Sequence, residues 1–315
     1  MPWFTRKPTD KDKNAPPPDH VSDREKQRVA DSQTVIPVGA FVKCARCGAI
    51  LYTRDFERDL KVCAKCGHHH PLTADERVAY TVDDGSFTEY DRDLRMTDPL
   101  DFPEYKAKAE KGEAATGRGD TMVRGTATIG GFPVSLLVAD FRFMGGSMGS
   151  VFGEKFVRAA DYAIKHRVAC VVFVASGGAR MQEGLFGLMQ MAKTSASVAQ
   201  LAQTGTPYVV VLTHPTTGGA WASFAALGDV IFAEPEAYVA FAGARVASQA
   251  KQFKEPTNYQ TAEFQQEWGK VDRIVPRKEM ATTLARSLTF FGANGANRAV
   301  APDSVVVSRN GVGGH

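Results

Sequence analysis

The fold of this chain is decided by the stretch VACVVFVASGGAR, residues 168–180. Its first eight residues are almost all apolar and rich in valine, a pattern typical of a strand that is buried on both faces of a sheet. A turn with two adjacent glycines follows at 176–180, and an amphipathic helix is predicted over about 183–203. A strand, a glycine turn and a helix in this order form the repeating unit of α/β domains.

The same order of elements occurs once upstream and once downstream. Upstream, a predicted strand at 133–139 leads into MGGSMGS (144–150) and a helix at about 152–166. Downstream, a predicted strand at 207–213 leads into HPTTGGA (214–220) and a short helix of small residues at 221–227. Three such units predict an α/β domain with a mainly parallel sheet.

The three glycine pairs also suggest a chemistry. A single pair most often just lets the chain turn sharply. Two glycines at the start of a helix can, however, expose consecutive backbone N–H groups to which the helix dipole adds positive potential. Because three pairs follow one another, we expect them to stabilise negative charge that develops on a carbonyl oxygen.

A second strong signal lies near the N-terminus, where four cysteines form two CxxC pairs: Cys44, Cys47, Cys63 and Cys66. Their spacing falls in the range that is typical of zinc sites. A glycine follows each pair, which suits the tight turn that aims two sulfurs at one metal ion. A zinc ion with four thiolates has no open position, so we expect a structural site. The alternative, two disulfides in a secreted domain, disagrees with the polar N-terminus, which lacks the apolar segment of a signal peptide and points to the cytoplasm.

The same segment contains residues that could serve two other functions. A second metal could bind His68–His69–His70, but three consecutive histidines cannot all face one ion in regular backbone. Nucleic acid could bind the basic residues of the segment, which are Lys43, Arg46, Arg54, Arg58, Lys61 and Lys65. Acidic residues interrupt them and no aromatic ladder accompanies them. The net charge of +3 is also small for a dedicated nucleic-acid binder.

Length and composition predict the domain organisation. The 315 residues are 43% hydrophobic and 23% charged, which is typical of a globular protein with a sizeable core. The longest apolar runs have the length of strands, so we expect no membrane span. We predict a disordered segment at 1–37, a zinc ribbon at 38–72, the main domain at 73–292 and a flexible tail at 293–315. Helical stretches are expected near 73–82 and 103–111.

A hydrolase is a third alternative. Residues 145–149 match the G-x-S-x-G turn that presents a nucleophilic serine, here Ser147. That chemistry needs an acid and then a histidine further along the chain, and after Asp229 or Asp272 only the terminal His315 follows. No P-loop, no dinucleotide-binding fingerprint and no Met-Lys-Met biotin-acceptor sequence is present.

The longer motifs resemble a known family. They are FMGGSMGS (143–150), ASGGARMQE (175–183), LMQMAKTSA (188–196), the Pro-Thr-x-Gly-Gly segment at 215–219, ASF (222–224), GD (228–229) and AEP (233–235). Together with the four-cysteine ribbon, they resemble the β subunits of bacterial acetyl-CoA carboxylase carboxyltransferase over about residues 38–285. This resemblance implies an α/β fold with a crotonase-like (ClpP/crotonase) core behind an N-terminal zinc ribbon.

The resemblance also implies an activity and a site. The family transfers a carboxyl group from carboxybiotin, held on a carrier protein, to acetyl-CoA and so forms malonyl-CoA for fatty acid biosynthesis. Its partners would be a carboxyltransferase α subunit, in an α2β2 heterotetramer, together with a biotin carboxyl carrier protein and a biotin carboxylase. By the family pattern, Gly218 and Gly219 would stabilise the oxyanion. The substrate would be lined by Gly145, Gly146, Ser176, Gly177, Gly178 and Arg180.

Some positions depart from the family pattern. His214 stands where an aspartate is usual, Ala244 stands where a proline is usual, and residues 251–260 differ from the usual stretch. The glycine pairs are intact, so the expected reaction is unchanged. The alternative from another class is a zinc-ribbon regulator that binds nucleic acid on an inactive crotonase-like core. Intact glycine turns favour the enzyme, because a binding protein would not need them.

Overall fold

A computed structural model describes residues 39–241 and 258–292. The segments predicted to be disordered (1–37) and flexible (293–315) lie outside the described residues. So do Ala244 and residues 251–257, which carry most of the departures from the family pattern.

The chain begins with a small hairpin and continues into a large sheet with helices. The hairpin strands β1 (Phe41–Lys43) and β2 (Ile50–Tyr52) are antiparallel and are followed by helix α1 (Thr53–Arg58). The strands of the large sheet are β3 (Thr88–Tyr90), β4 (Met122–Ile129), β5 (Phe132–Ala139), β6 (Ala169–Ser176), β7 (Tyr208–Thr217), β8 (Val230–Ala233), β9 (Val239–Ala240) and β10 (Arg273–Ile274). The other helices are α2 (Ala74–Ala79), α3 (Tyr105–Thr116), α4 (Ser150–His166), α5 (Leu185–Gln203), α6 (Ala262–Glu267) and α7 (Arg277–Phe290).

The large sheet is mixed, with a parallel centre. Its strand order is β10-β8-β7-β6-β5-β4-β3, and β9 pairs with the end of β7. Strands β5, β6, β7, β8 and β10 are parallel, whereas β3 and β4 join antiparallel at one edge. Because the carboxyl ends of β5, β6 and β7 lie at one edge, the three glycine turns that follow them are brought together there.

Helices cover both faces of the parallel strands, which explains their nearly continuous apolar sequences. Alternate residues of β6 and β7, such as Val172 and Val210, join one core with Phe152 and Phe156 of α4. The residues between them join a second core on the opposite face, which includes Leu284 of α7. The predicted α/β organisation follows from this two-sided burial.

Two local predictions are wrong. The predicted helix at 221–227 is a turn that contains only a short 3₁₀ helix, Phe224–Ala226. Strand β7 does not end at Thr213 but continues to Thr217, because Thr216 and Thr217 pair with β9. This non-local pairing converts half of the predicted third glycine turn into strand.

Within the described residues, no helix has the length and apolar character required to cross a membrane.

Candidate functional site

The four cysteines meet at one point and fit a tetrahedral zinc ion. Their sulfurs all lie within 4.8 Å of one another. The Sγ–Sγ distances are 3.8 Å for Cys44 and Cys66 and 3.8 Å for Cys47 and Cys63. Four thiolates at about 2.3 Å from a central zinc ion would be separated by roughly 3.8 Å, so the four sulfurs already have the spacing of a closed structural site.

Each CxxC pair forms the same turn. Gly48 N donates to Cys44 O at 3.0 Å, and Gly67 N donates to Cys63 O at 2.8 Å. Both glycines have a positive φ, +71° and +72°, which explains why glycine follows each pair. Each of the two equivalent turns thus directs two sulfurs toward the same metal position.

The adjacent histidines are not arranged as a second metal site. Among residues 39–241 and 258–292, the only cluster with metal-ligand geometry is the cysteine group. His69 Nδ1 lies 3.6 Å from a carboxylate oxygen of Glu234, and the ring of His70 packs edge-on against Phe56. The His69 ring therefore lies at the contact between the ribbon segment and the end of β8, and the His70 ring packs within the ribbon segment.

A buried ion cluster fixes the ribbon segment to the core. The Glu234 carboxylate accepts from Arg77 Nη1 at 2.6 Å and from Arg277 Nε and Nη2 at 2.9 and 2.8 Å. Arg277 also donates to the carbonyl oxygens of Leu60 and His70, at 2.8 and 3.0 Å. One arginine at the start of α7 thus holds both the ribbon segment and the end of β8.

Part of the basic surface of the ribbon segment is neutralised. Arg46 pairs with Glu236 at 2.5 Å, Lys61 pairs with Glu76, and Arg58 pairs with Asp55 at 2.9 Å. These pairs reduce the field that a phosphate backbone would meet, which weighs against the nucleic-acid alternative.

The glycine turns after β5, β6 and β7 contact one another directly. Gly177 N donates to Gly145 O at 2.9 Å, and Met148 N donates to Gly178 O at 2.8 Å. On the other side, a Cβ on Gly178 would lie 3.1 Å from Gly219 N. The sequence prediction that these turns form one site is therefore supported by their packing, and glycine is required for this approach.

A cleft of about 580 Å³ opens beside the first two turns. Apolar side chains form much of its wall and cationic side chains lie at α3 and after β5. Its lining residues are Lys108, Lys111, Gly112, Ala115, Phe141, Arg142, Met144, Gly145, Ser147, Gly177, Ala179, Met181 and Gln182. Of the predicted substrate-lining residues, Gly145 and Gly177 line this cleft.

The two predicted oxyanion donors differ in their hydrogen bonds. Gly218 N already donates to Ala240 O at 3.0 Å, through the pairing of β7 with β9, so the Gly218 amide is engaged within the protein. The amides of Gly219 and Ala179 have no acceptor among the described residues. They are neighbours, since a Cβ on Gly219 would lie 3.3 Å from Ala179 N.

Three other predicted substrate-lining residues are buried. Gly146 is packed so closely that a Cβ there would lie 2.0 Å from Ala175 O. Ser176 is fully buried, and its hydroxyl accepts from Gly178 N at 3.1 Å. The side chain of Arg180 is also fully buried and does not line this cleft. Ser176 and Gly146 therefore support the conformation of the turns without facing the cleft.

Ser147 lines the cleft, and among the described residues no base is hydrogen-bonded to its hydroxyl. Its Oγ accepts a hydrogen bond from Arg180 Nε at 3.0 Å. A guanidinium remains protonated in proteins and cannot take the serine proton. The hydrolase alternative therefore fails on geometry as well as on chain order.

His214 has a structural contact that accounts for a polar residue at this position. Its Nδ1 accepts from Tyr238 N at 3.2 Å, and burial lowers the pKa of His214. A carboxylate could accept the same hydrogen bond, so the departure from aspartate preserves the link between β7 and the segment before β9.

Sequence reasoning missed Ala179, Lys108 and Lys111. Ala179 directly follows the second glycine pair, and this position in the sequence could have indicated that its amide is a donor. The two lysines lie three residues apart on α3, on one face of the helix, but nothing in the sequence connects α3 to the glycine turns.

Two family models match the chain. A carboxyl transferase domain matches residues 69–263, and an acetyl-CoA carboxylase zinc finger domain matches residues 41–66. The expected combination of a carboxyl transferase core and a zinc ribbon is confirmed by these matches.

Curated relatives match this chain over most of their own length. An acetyl-coenzyme A carboxylase carboxyl transferase subunit beta from Desulforamulus reducens is 50% identical over 259 residues, 82% of this chain and 90% of the relative. The subunit of the same name from Pelotomaculum thermopropionicum is 51% identical over 253 residues, 80% of this chain and 89% of the relative. The subunit of the same name from a Synechococcus strain is 44% identical over 293 residues, which are 90% of this chain and 99% of the relative.

Solved structures share the fold. A transcarboxylase 12S structure with methylmalonyl-coenzyme A bound superimposes with a TM-score of 0.62 at 23% identity, over 86% of this chain and 48% of that one. The Pseudomonas malonate decarboxylase MdcD–MdcE heterodimer gives a TM-score of 0.54 at 24% identity, over 70% of this chain and 86% of that one. These likenesses confirm the crotonase-like fold class.

Proposed function

Because the chain belongs to the family of acetyl-CoA carboxylase carboxyl transferase β subunits, we propose that it transfers a carboxyl group from carboxybiotin to acetyl-CoA and forms malonyl-CoA. In this reaction a C–C bond forms at the methyl carbon of the thioester, which loses a proton, while the N–C bond of carboxybiotin breaks. The ureido nitrogen that loses the carboxyl group is the acceptor of that proton in this proposal.

The observation that carries the proposal is the pair of amides at Gly219 and Ala179. Loss of the methyl proton places negative charge on the thioester oxygen, and backbone N–H donors fixed in advance stabilise that charge without reorganisation. The two amides are adjacent and lack acceptors among the described residues, and Ala179 lines the cleft. Gly218 contributes by its backbone, since its φ of +61° turns the chain so that the Gly219 amide follows.

The cleft suits a CoA thioester. Phe141, Met144 and Met181 provide an apolar wall for the pantetheine arm, while Lys108 and Lys111 provide positive charge for the phosphates. Neither lysine needs to be buried for this role, because phosphate is attracted to solvated cations at a cleft mouth. In this arrangement the acyl group points to the glycine turns and the nucleotide lies toward α3.

The partner is proposed to be the carboxyltransferase α subunit, in an α2β2 heterotetramer. Exposed apolar side chains cluster just past the second glycine turn, at Met181, Leu185, Phe186, Leu188 and Met189, with 52–80% of their surface accessible. A patch of this kind marks an interaction surface on a water-soluble domain. It adjoins the cleft through Met181, so a partner bound there would close the site over the substrates.

A biotin carboxyl carrier protein and a biotin carboxylase complete the reaction in this proposal. The sequence contains no Met-Lys-Met segment and no P-loop, so biotin and ATP chemistry are supplied by separate chains. The four cysteines hold one structural zinc ion and suit a reducing cytoplasm. We retain the proposed division into a ribbon at 38–72 and a core at 73–292.

The test is formation of malonyl-CoA by the full chain mixed with a cognate α subunit, a carboxylated carrier and acetyl-CoA. The expected result is malonyl-CoA in the complete mixture and none when either subunit is omitted. Zinc content and binding of RNA and DNA are measured on the same preparation. Tight nucleic-acid binding with no malonyl-CoA formation would instead support the regulator.

A further inference from the structure

The most heavily bonded side chain in the described part of the chain lies beneath the site and is not explained by substrate binding. The Arg180 side chain has no exposed surface and no access to the cleft. A buried guanidinium is stabilised only when its donors are all satisfied. The role of Arg180 must therefore follow from the protein groups to which its side chain is bonded.

All three nitrogen atoms of Arg180 are bonded. Nε donates to Ser147 Oγ at 3.0 Å, and Nη2 donates to Ser147 O at 2.8 Å and to Thr121 Oγ1 at 3.3 Å. Nη1 donates to Asp120 Oδ2 at 2.6 Å and to Glu183 Oε1 at 3.2 Å. The planar fork of arginine fits this set, whereas a lysine ammonium could reach only part of it.

These partners come from the separate segments that build the cleft. Ser147 belongs to the first glycine turn, and Arg180 itself ends the second. Glu183 also accepts from Ser150 N at 2.6 Å, at the start of α4, and from the Tyr105 hydroxyl at 2.6 Å, at the start of α3. One buried cluster thus connects both turns to the helix that carries the lysines of the cleft.

The cluster packs closely against the first glycine turn. A Cβ on Gly149 would lie 2.3 Å from Glu183 Oε1 and 2.6 Å from Arg180 Nη1. The backbone of Arg180 is held as well, since its N donates to Met148 O at 2.9 Å. Because Ala179 immediately precedes Arg180, any shift of Arg180 displaces the Ala179 amide.

We propose that Arg180 is a positioning residue: its buried guanidinium sets the separation of the turns at 145–147 and 177–180 and so aims the Ala179 amide at the thioester oxygen. This inference rests on the proposed function, because it concerns the same amide. It replaces direct substrate binding by Arg180 with an action exerted entirely through the protein.

Two variants test it in the reconstituted complex. Arg180→Lys keeps the charge but loses the fork, and we expect kcat to fall about 10²-fold, as misplacement by about 1 Å can cause. The KM for acetyl-CoA should stay within about threefold, because uniform substrate binding is retained. Tyr105→Phe removes a hydroxyl that is fully buried and cannot touch substrate, and kcat should fall about threefold to tenfold.

A matched control separates positioning from simple loss of stability. Ser135→Ala removes another buried hydroxyl, which donates to Ala159 O at 2.8 Å in the centre of the sheet. It should lower the melting temperature without changing kcat at a temperature where all proteins are folded. The double variant Arg180→Lys, Tyr105→Phe should lose no more activity than Arg180→Lys alone, because both changes act through one cluster.

The outcomes are distinct. An unchanged kcat in Tyr105→Phe and Arg180→Lys overturns the proposal. So does a rise in KM for acetyl-CoA with kcat preserved, since that pattern indicates direct contact with substrate. If Arg180→Lys does not fold, the kcat of Tyr105→Phe is compared with that of the control Ser135→Ala. A lower kcat in Tyr105→Phe alone supports the proposal, and equal kcat values overturn it. Failure of the unmodified complex to form malonyl-CoA would refute the proposed function instead.

Discussion

Substitution of Gly219 by alanine tests the assignment of the oxyanion donors. The added Cβ would lie 2.9 Å from Met191 Sδ, 3.3 Å from Ala179 N and 3.4 Å from Ala179 Cβ. The methionine end is flexible and can move, but the backbone of Ala179 is held by its neighbours. The methyl group would therefore remain next to the Ala179 amide, in the space that the thioester oxygen is proposed to occupy.

The expected loss follows from the number of donors affected. Removal of one oxyanion donor costs about 10²–10³ in kcat, or about 2.7–4 kcal/mol. Gly219→Ala obstructs at least the Ala179 donor, so kcat should fall by at least about 10²-fold. The φ of Gly219 lies outside the left-handed region, and the backbone can therefore accept alanine without strain.

The assay is malonyl-CoA formation by the reconstituted complex, with zinc content and thermal unfolding measured in parallel. The double variant Gly219→Ala, Met191→Ala relieves the contact with the methionine but leaves the methyl group beside Ala179. It should regain packing around residue 219 yet remain inactive, while Met191→Ala alone should stay active. Recovery of activity in the double variant would show that crowding, not loss of a donor, caused the defect, and would refute the reasoning.

Three further predictions concern the ribbon and the partner. Each chain should contain one zinc ion, and Cys44→Ser should lose it, since structural zinc supplies on the order of 10–16 kcal/mol in small modules; full zinc content in that variant would exclude the four-thiolate site. The purified chain without an α subunit should not carboxylate acetyl-CoA, and ordinary turnover by the chain alone would contradict the proposed division of the site. The third concerns Glu234: burial raises its pKa, but Arg77 and Arg277 outweigh burial and hold the pKa well below its usual value. Its contribution to stability is therefore complete above the unfolded pKa of about 4.3 and is lost as pH falls through the lower folded value. Acid unfolding in Glu234→Gln should accordingly depend less steeply on pH below about 4.3, and an unchanged pH profile would argue against the ion cluster.

Local sequence patterns were sufficient for the main elements. The valine-rich stretch predicted a strand at 168–175, and β6 spans Ala169–Ser176. Both CxxC pairs converge as their spacing predicted, because the tight turns are set by residues close in sequence. Burial on both faces of the sheet makes such strands easy to recognise.

The differences at Gly218 and at Arg180 arise from contacts between distant residues. Strand β9 pairs with the end of β7, which takes up the Gly218 amide and extends the strand past residue 213. The burial of Arg180 depends on Asp120, sixty residues away in the chain. Spacing within one segment carries no information about such partners, so the turns could be predicted but the donors could not.

The most direct test of the central claim is the carbonyl stretching frequency of acetyl-CoA labelled with ¹³C at the thioester carbon, measured by isotope-edited infrared spectroscopy. Two backbone donors at the oxygen polarise the carbonyl and lower its frequency relative to free acetyl-CoA. In the complex with the α subunit, the carbonyl frequency should shift clearly to a lower value, and Gly219→Ala should abolish this shift. The same frequency in both proteins, with acetyl-CoA bound equally well, would contradict it.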